Sequence, residues 1–143
     1  MLKGLSSLLT PELLYVLAQM GHGDEIALVD RNFPATARAR RVVRLDGCDL
    51  DAAARVVLSV LPLDTFVDEP LTGMHPVDAA GEIPDVQRGV IGIAEEAEAR
   101  PIALRPIDRF AFYARAESAF AVVTTTESRP YGCVLLTKGV IND

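Results

Sequence analysis

The sequence has few of the residues from which metal, disulfide and redox sites are built. It contains two cysteines, two histidines and no tryptophan in 143 residues. Cys48 and Cys133 lie far apart and form no CxxC motif, so we predict no disulfide framework, and reduced thiols favour a cytoplasmic location. His22, Asp24 and Asp30 are of types that can bind a metal ion, but their spacing matches no recognised metal-binding motif. We therefore expect no metal site.

Motifs for phosphate binding and acyl transfer are absent as well. The sequence has no Walker loop, no GxGxxG and no GxSxG. Neither a nucleotide site nor the nucleophile elbow of a hydrolase is therefore indicated. The tripeptide GHG at 21–23 is too short to cradle a phosphate.

Basic charge and long apolar runs are also scarce. The formal net charge is −6, which argues against nucleic acid as a partner. The segment 38–44 carries four arginines, and we expect it to be a solvated loop edge. No apolar run is long enough to cross a bilayer. Pro11 and Glu12 interrupt the N-terminal apolar run and no cleavage site follows, so we expect neither a signal peptide nor a membrane partner.

Aliphatic residues supply the core, because 50% of the residues are hydrophobic and only 6% are aromatic. The clearest element is a helix that follows Thr10, a good N-cap, and starts at Pro11, which suits the first helical position. Apolar residues then recur at helical spacing, and Gly21 is placed to end the helix in a left-handed turn.

Helices and strands alternate along the rest of the chain. We predict strands at 25–29, 42–45, 102–104, 119–125 and 133–137. We predict further helices at 50–61, 85–99 and 108–118. The segments 30–41 and 68–84 are expected to be irregular, the second as a surface excursion rich in proline and glycine. This order indicates a single α/β domain over 1–143, with a mixed, mostly parallel sheet between two helical layers in a three-layer α/β/α architecture.

His22 is the residue best placed for chemistry. It lies between two glycines at the junction of a helix and a strand, which leaves its imidazole accessible. We expect Asp24 or Glu25 to accept a hydrogen bond from one ring nitrogen and fix the tautomer. The alternative is a histidine that caps the negative end of the helix dipole. His75 lies in the proline-rich segment, where we expect it at the surface.

The chain resembles the L-fucose mutarotase family in several runs that keep the family's order and spacing. They are MLKG at 1–4, TPELL at 10–14, MGHGDEI at 20–26, DxNFP at 30–34, RFAFY at 109–113 and YGCVLLTKG at 131–139. The resemblance covers nearly the whole chain and is weakest at 68–105. The sister D-ribose pyranases are similar around His22 and Asp30, but RFAFY is the fucose-type run.

The resemblance implies roles for three charged or titratable residues. His22 matches the proton-donating histidine of the family, Asp30 a substrate-binding carboxylate, and Arg109 an arginine that holds sugar oxygens. Apart from the resemblance, Asp30 is equally explained as the end of its strand, and Arg109 as a surface arginine paired with nearby acids.

The resemblance also implies a binding segment near the C-terminus. Tyr131 and Gly132 match the start of a Tyr-Gly-Asn substrate segment, although a tyrosine after Pro130 also suits a turn. Cys133 stands where the family has asparagine, and a thiol is a poor hydrogen-bonding group. If that asparagine side chain contacts sugar, this chain binds fucose more weakly or prefers another sugar. If only the backbone contacts sugar, little changes.

The function implied is that of a mutarotase for a free monosaccharide, L-fucose above all. A ribose-type pyranase and a non-catalytic monosaccharide-binding module are the alternatives. Mutarotation involves no redox change, so we expect no cofactor. A histidine that titrates near neutrality can act as the acid. The opposing base is either Asp30 or a bound water.

Strand geometry bears on where such a site lies. Positions 22 and 30 flank a predicted strand, so they are separated by up to ~26 Å when the chain is extended. One monosaccharide does not span that distance. We therefore predict an active site at a subunit interface, which fits the ring-shaped homo-oligomers, commonly decamers, of the family it resembles.

Overall fold

The computed structural model describes residues 1–143 as one six-stranded sheet flanked by five helices. The strands are β1 (Glu25–Val29), β2 (Val42–Arg44), β3 (Leu71–Met74), β4 (Leu104–Ile107), β5 (Ala121–Thr124) and β6 (Val134–Thr137). The helices are α1 (Pro11–Gln19), α2 (Ala35–Arg38), α3 (Leu50–Leu58), α4 (Asp85–Glu98) and α5 (Arg109–Ser118). None of these helices combines the length and the apolar composition that crossing a membrane requires.

The sheet has the strand order β2-β5-β1-β6-β3-β4. Its pairs β2-β5, β5-β1 and β3-β4 are parallel, whereas β6 runs antiparallel to both of its neighbours, β1 and β3. The predicted mixed and mostly parallel sheet is therefore confirmed. Because β6 alone is reversed, its first residues lie at the same edge of the sheet as the carboxyl ends of β1 and β3.

Alternating side chains of the strands build two cores. In β1, Ile26 and Leu28 join a cluster of 29 buried residues with α1, α3 and α4. Ala27 and Val29 point to the other face and join a smaller cluster with α2 and α5. This alternation follows from the two-residue period of a strand. Both faces of the sheet are covered, as the predicted three-layer architecture requires.

The helix starts are set by side-chain caps. Thr10 Oγ1 accepts a hydrogen bond from the Leu13 amide at 3.2 Å, and Asp108 Oδ1 accepts from the first-turn amides of α5. Such a cap contributes about 1 kcal/mol. The predicted end of α1 at Gly21 is wrong. The helix ends at Gln19, and the chain continues through Met20, whose backbone is extended and whose side chain is buried in the core.

The segment 68–84 was predicted as a surface excursion, and this is wrong for its first half. β3 lies within it, between β6 and β4, and all four of its residues are buried. Pro70 and Gly73 are turn signals, but neighbouring strands far along the chain override them. Likewise, α2 forms one turn inside the segment 30–41. β4 includes Pro106 and lies at the edge of the sheet. An edge strand tolerates proline because the amides along its outer side have no strand to pair with.

Candidate functional site

One edge of the sheet carries a cavity of about 250 Å³. Asp30 follows β1, Arg109 starts α5 directly after β4, and Tyr131 and Cys133 precede β6. All four line the cavity. The carboxyl ends of parallel strands and the start of the reversed β6 meet here, and crevices outside strand ends are common ligand sites in α/β folds. The remaining lining residues are Asn32, Phe33, Met74, Val77, Tyr113 and Pro130.

Gly132 lies behind this cavity wall rather than on it. A Cβ atom at this position would come within 2.9 Å of Glu127 Cγ and 3.3 Å of Asp30 Cβ. Glycine is therefore needed here for close packing of the segment 131–133 against the end of β1. The structure brings the five residues predicted to bind substrate to one edge of the sheet.

Asp30 is buried, and no cationic side chain pairs with it. Its Oδ1 accepts a hydrogen bond from the Asn32 amide at 2.9 Å, and its Oδ2 lies 3.6 Å from Cys133 Sγ. A thiol is a weak donor, so Oδ2 keeps accepting capacity for a stronger partner such as a sugar hydroxyl.

Cys133 differs chemically from the asparagine that the family has at this position. Burial raises the pKa of the Cys133 thiol well above its usual range, and the negative charge of Asp30 raises it further. The sulfur therefore stays protonated and donates to Asp30, which makes it a packed thiol and a poor nucleophile.

Arg109 has no acidic partner. Its guanidinium carbon lies 4.8 Å from the centre of the Phe110 ring and 5.8 Å from that of Tyr113. Arg109 is exposed, as the alternative of a surface arginine expects, but the pairing with nearby acids is wrong. A guanidinium that stacks on aromatic rings keeps its N–H donors free for ligand oxygens.

The turn that carries Tyr131 is held by a buried carboxylate that the sequence did not reveal. Glu127 accepts hydrogen bonds from the Leu50 amide at 3.2 Å and from Arg129 at 2.7–2.9 Å. The Arg129 hydrogen bonds lower the pKa of Glu127 to about 2. The contact between Glu127 and Arg129 fixes the turn from which Tyr131 projects. The backbone of Tyr131 has φ +60°.

His22 lies at the opposite edge of the sheet, before β1. Its Nε2 is 3.0 Å from Oδ1 of Asp64, a buried residue in the loop after α3. The predicted partners Asp24 and Glu25 are wrong, because Asp24 accepts from the Gly21 amide and Glu25 pairs with Arg115. His22 makes no hydrogen bond to a carbonyl of α1, so the capping alternative is not supported either.

The surroundings of Asp64 favour its carboxylate form, which can pair with an imidazolium or accept a hydrogen bond from a neutral imidazole. Burial works against its ionised form, but hydrogen bonds from the Phe66 amide and from His22 leave the pKa of Asp64 below its usual range. The Phe66 ring lies 5.0 Å from the imidazole, centre to centre, and is 73% exposed. The His22 side chain is 44% exposed, so the imidazole is accessible from outside the chain.

The structure does not bring His22 and Asp30 together. The whole of β1, hydrogen-bonded on both sides, lies between them. A larger hollow of about 400 Å³ lies at the His22 edge, between Phe66 and Arg115, but none of the predicted site residues lines it. No group of three histidine, cysteine, aspartate or glutamate side chains is arranged to hold a metal ion.

Comparisons with known proteins identify relatives along almost the whole chain. A sequence model of the RbsD / FucU transport protein family matches residues 3–141. An L-fucose mutarotase of Haemophilus influenzae is 40% identical over 140 residues, which cover 98% of this chain and 97% of that protein. A fucose mutarotase of Homo sapiens is 44% identical over 150 residues, which cover 98% of this chain and 94% of that protein.

The fold has relatives among solved structures too. The crystal structure of the fucose mutarotase in complex with L-fucose from Streptococcus pneumoniae superposes with a TM-score of 0.91 at 33% identity, covering 99% of this chain and 100% of that one. The extent and identity of these matches show that this chain belongs to the RbsD / FucU family.

Proposed function

We propose that this protein is a mutarotase that interconverts the ring forms of free L-fucose. The cavity beside Asp30 carries the proposal, because it places a carboxylate with spare accepting capacity opposite an unpaired guanidinium, that of Arg109. Polyhydroxylated ligands need both acceptors and donors. The fucose mutarotases among its relatives support the same assignment.

In the proposed reaction, His22 in its imidazolium form donates a proton to the ring oxygen while the anomeric hydroxyl loses one to Asp30 or water. The bond between the anomeric carbon and the ring oxygen breaks, and the open-chain aldehyde closes again on either face. Positioned acid–base help accelerates such a step roughly 10²–10⁴-fold, which corresponds to about 3–5 kcal/mol of barrier. The reaction creates no net charge and needs no cofactor.

The contact with Asp64 determines which ring nitrogen of His22 transfers the proton. When Nε2 donates its proton to Asp64, the other nitrogen, Nδ1, has no partner within the chain. We assign proton transfer to Nδ1, with the Asp64 carboxylate stabilising the imidazolium that forms when Nδ1 takes a proton back.

We propose that the complete site forms between subunits, with His22 of one subunit facing Asp30 of the partner subunit. Contacts between two different surfaces of one chain generate a closed ring when the rotation between neighbouring subunits closes, and we favour a decamer. Both surfaces carry exposed apolar side chains, Phe66 beside His22, and Val77 and Phe110 beside the cavity. We place the enzyme in the cytoplasm, where its two unpaired thiols stay reduced.

Saturation-transfer NMR on L-fucose tests the activity. Anomeric exchange should be faster with protein than without it, and the acceleration should be lost in His22→Ala. Exchange that is unchanged by the wild-type protein would leave only the sugar-binding module. Faster exchange on D-ribose than on L-fucose would favour the ribose-type pyranase.

Arginine substitutions provide a matched pair for the binding cavity. Arg109→Ala should weaken L-fucose binding, because its donors are free to bind ligand oxygens. Arg40→Ala is the control, since Arg40 is exposed and forms no ion pair. Equal effects of the two substitutions would contradict a binding role for Arg109.

A further inference from the structure

Gln87 is a polar residue in an apolar environment. It lies in α4 and its side chain is fully buried. Its Nε2 donates to two backbone carbonyls, that of Met74 at 2.7 Å and that of Tyr131 at 2.9 Å. Because both partners can only accept, the amide must turn its NH₂ group toward them. Its Oε1 is left buried without a hydrogen-bond partner.

The fold makes room for this amide at one glycine. A Cβ atom on Gly73 of β3 would overlap Gln87 Oε1 and come within 2.8 Å of Gln87 Cδ. The absence of a side chain at this position lets the carboxamide lie across the strand and reach Tyr131. Burying an amide with an unpaired oxygen opposes folding, whereas an apolar side chain of similar length would not. Stability alone therefore does not account for Gln87.

Both carbonyls that Gln87 binds belong to walls of the candidate cavity. Met74 ends β3 and Tyr131 belongs to the segment before β6, and both line the cavity beside Asp30. One NH₂ group thus fixes the separation of two walls that come from different parts of the chain.

The same contact orients the peptide that joins Tyr131 to Gly132. A peptide unit is planar and trans, so when its carbonyl points at Gln87 its N–H points the opposite way. Tyr131 has a left-handed backbone at φ +60°, which is unfavourable for a tyrosine and needs to be held. Its hydroxyl accepts from the Val77 amide at 3.2 Å, which closes the cavity rim.

We propose that Gln87 is a positioning residue for sugar binding, whose carboxamide holds the Tyr131 carbonyl and thereby sets the segment 131–133 in its binding orientation. The proposal rests on the proposed function, in which that segment contacts the monosaccharide. Gln87 itself does not line the cavity, so it acts through the Tyr131 carbonyl and not by contact with the sugar.

Gln87→Met tests the proposal, because methionine has a similar length and no donors. We expect KM for L-fucose to rise on the order of tenfold, the value for one lost hydrogen bond in a positioned site, while kcat changes less. Val90→Ala is the control, since Val90 is buried in the same helix but belongs to the larger core cluster, whereas Cys133 belongs to the smaller one and Tyr131 packs against it. It should lower the unfolding midpoint and leave KM unchanged.

Gly73→Ala provides a second perturbation that leaves Gln87 in the sequence. The new methyl group displaces the carboxamide, so KM should rise as it does in Gln87→Met. If Gln87→Met does not fold, Gly73→Ala decides the question. An unchanged KM in a folded Gln87→Met or Gly73→Ala protein overturns the proposal.

Infrared spectroscopy adds a readout that does not depend on activity. The chain contains three tyrosines, so labelling tyrosine with ¹³C at the carbonyl gives three shifted bands. Gln87→Met should move one of them to higher frequency, because the Tyr131 carbonyl loses its donor, whereas Val90→Ala should move none. An unmoved band in Gln87→Met overturns the positioning role. A wild-type protein without mutarotase activity refutes the proposed function, and the band shift still tests the contact.

Discussion

Asp64→Asn separates the role of the Asp64 charge from the role of its shape. Asparagine keeps an oxygen that can accept from the Phe66 amide, as Asp64 does at 3.1 Å. It removes the negative charge that lies 3.0 Å from His22 Nε2. The site keeps its geometry, and the imidazolium loses its counter-charge.

The size of the effect follows from the contact and its exposure. A hydrogen bond to a charged group contributes about 1.5–3 kcal/mol and a neutral one about 1 kcal/mol. The difference must be reduced because the His22 side chain is 44% exposed to solvent. We expect a loss of about 1 kcal/mol in transition-state stabilisation, which is roughly a fivefold fall in kcat. KM for L-fucose should stay the same, because Asp64 contacts His22 and does not line the cavity beside Asp30.

Anomeric exchange measured by NMR at saturating L-fucose gives kcat, and ¹⁵N labelling of histidine reports the tautomer. In the neutral form that remains after proton donation, wild-type His22 should carry its proton on Nε2, and Asp64→Asn should populate the other tautomer, since an amide can also donate to Nε2. Asp24→Asn is the matched control, because Asp24 is close to His22 in sequence but binds the Gly21 amide. An unchanged kcat in Asp64→Asn, or an equal fall in Asp24→Asn, would refute the assignment of Asp64.

Two further predictions concern the cavity and its anchor. Cys133→Asn should lower KM for L-fucose several-fold in exchange NMR, because an amide offers the sugar a strong donor and a strong acceptor that a thiol lacks. A KM that rises would show that the buried site cannot accept the amide. The pKa of Glu127 is depressed from 4.5 to about 2, so its stabilising contribution is present above pH 4.5 and is lost as the pH falls toward 2. Chemical denaturation should show this part of the unfolding free energy, on the order of 2 kcal/mol after discounting for the half-exposed Arg129, disappearing over that interval. Glu127→Gln should flatten the slope, and an unchanged slope would contradict the anchor.

The sequence predicts the layers of this fold well, because they depend on local patterns. The continuous apolar run of β1 and caps such as Thr10 and Asp108 act within a few residues. β3 escaped prediction because it is four residues long and contains Gly73, which the sequence presents as a turn residue. Its burial is decided by β6 and β4, whose positions only the folded sheet defines.

Some residues of the candidate site could be predicted from the sequence, and others are recognised only in the folded structure. The resemblance to a known family pointed to Asp30, Arg109 and Tyr131, and the structure places them around one cavity. Asp64 and Gln87 carried no signal, because their partners lie 42 and 44 residues away in the chain. Closeness in sequence suggested Asp24 and Glu25 as partners of His22, but β1 directs Glu25 toward Arg115 instead.

Complementation between two inactive variants tests most directly whether the site combines two subunits. His22→Ala and Asp30→Asn should each be nearly inactive alone. When the two chains are co-expressed in equal amounts and assemble at random, about a quarter of the interfaces join an intact His22 to an intact Asp30 of the partner subunit. We predict that the mixed assembly recovers about a quarter of the wild-type exchange rate on L-fucose. A mixed assembly no more active than its parents would contradict the account, because it would show that both residues must come from the same chain.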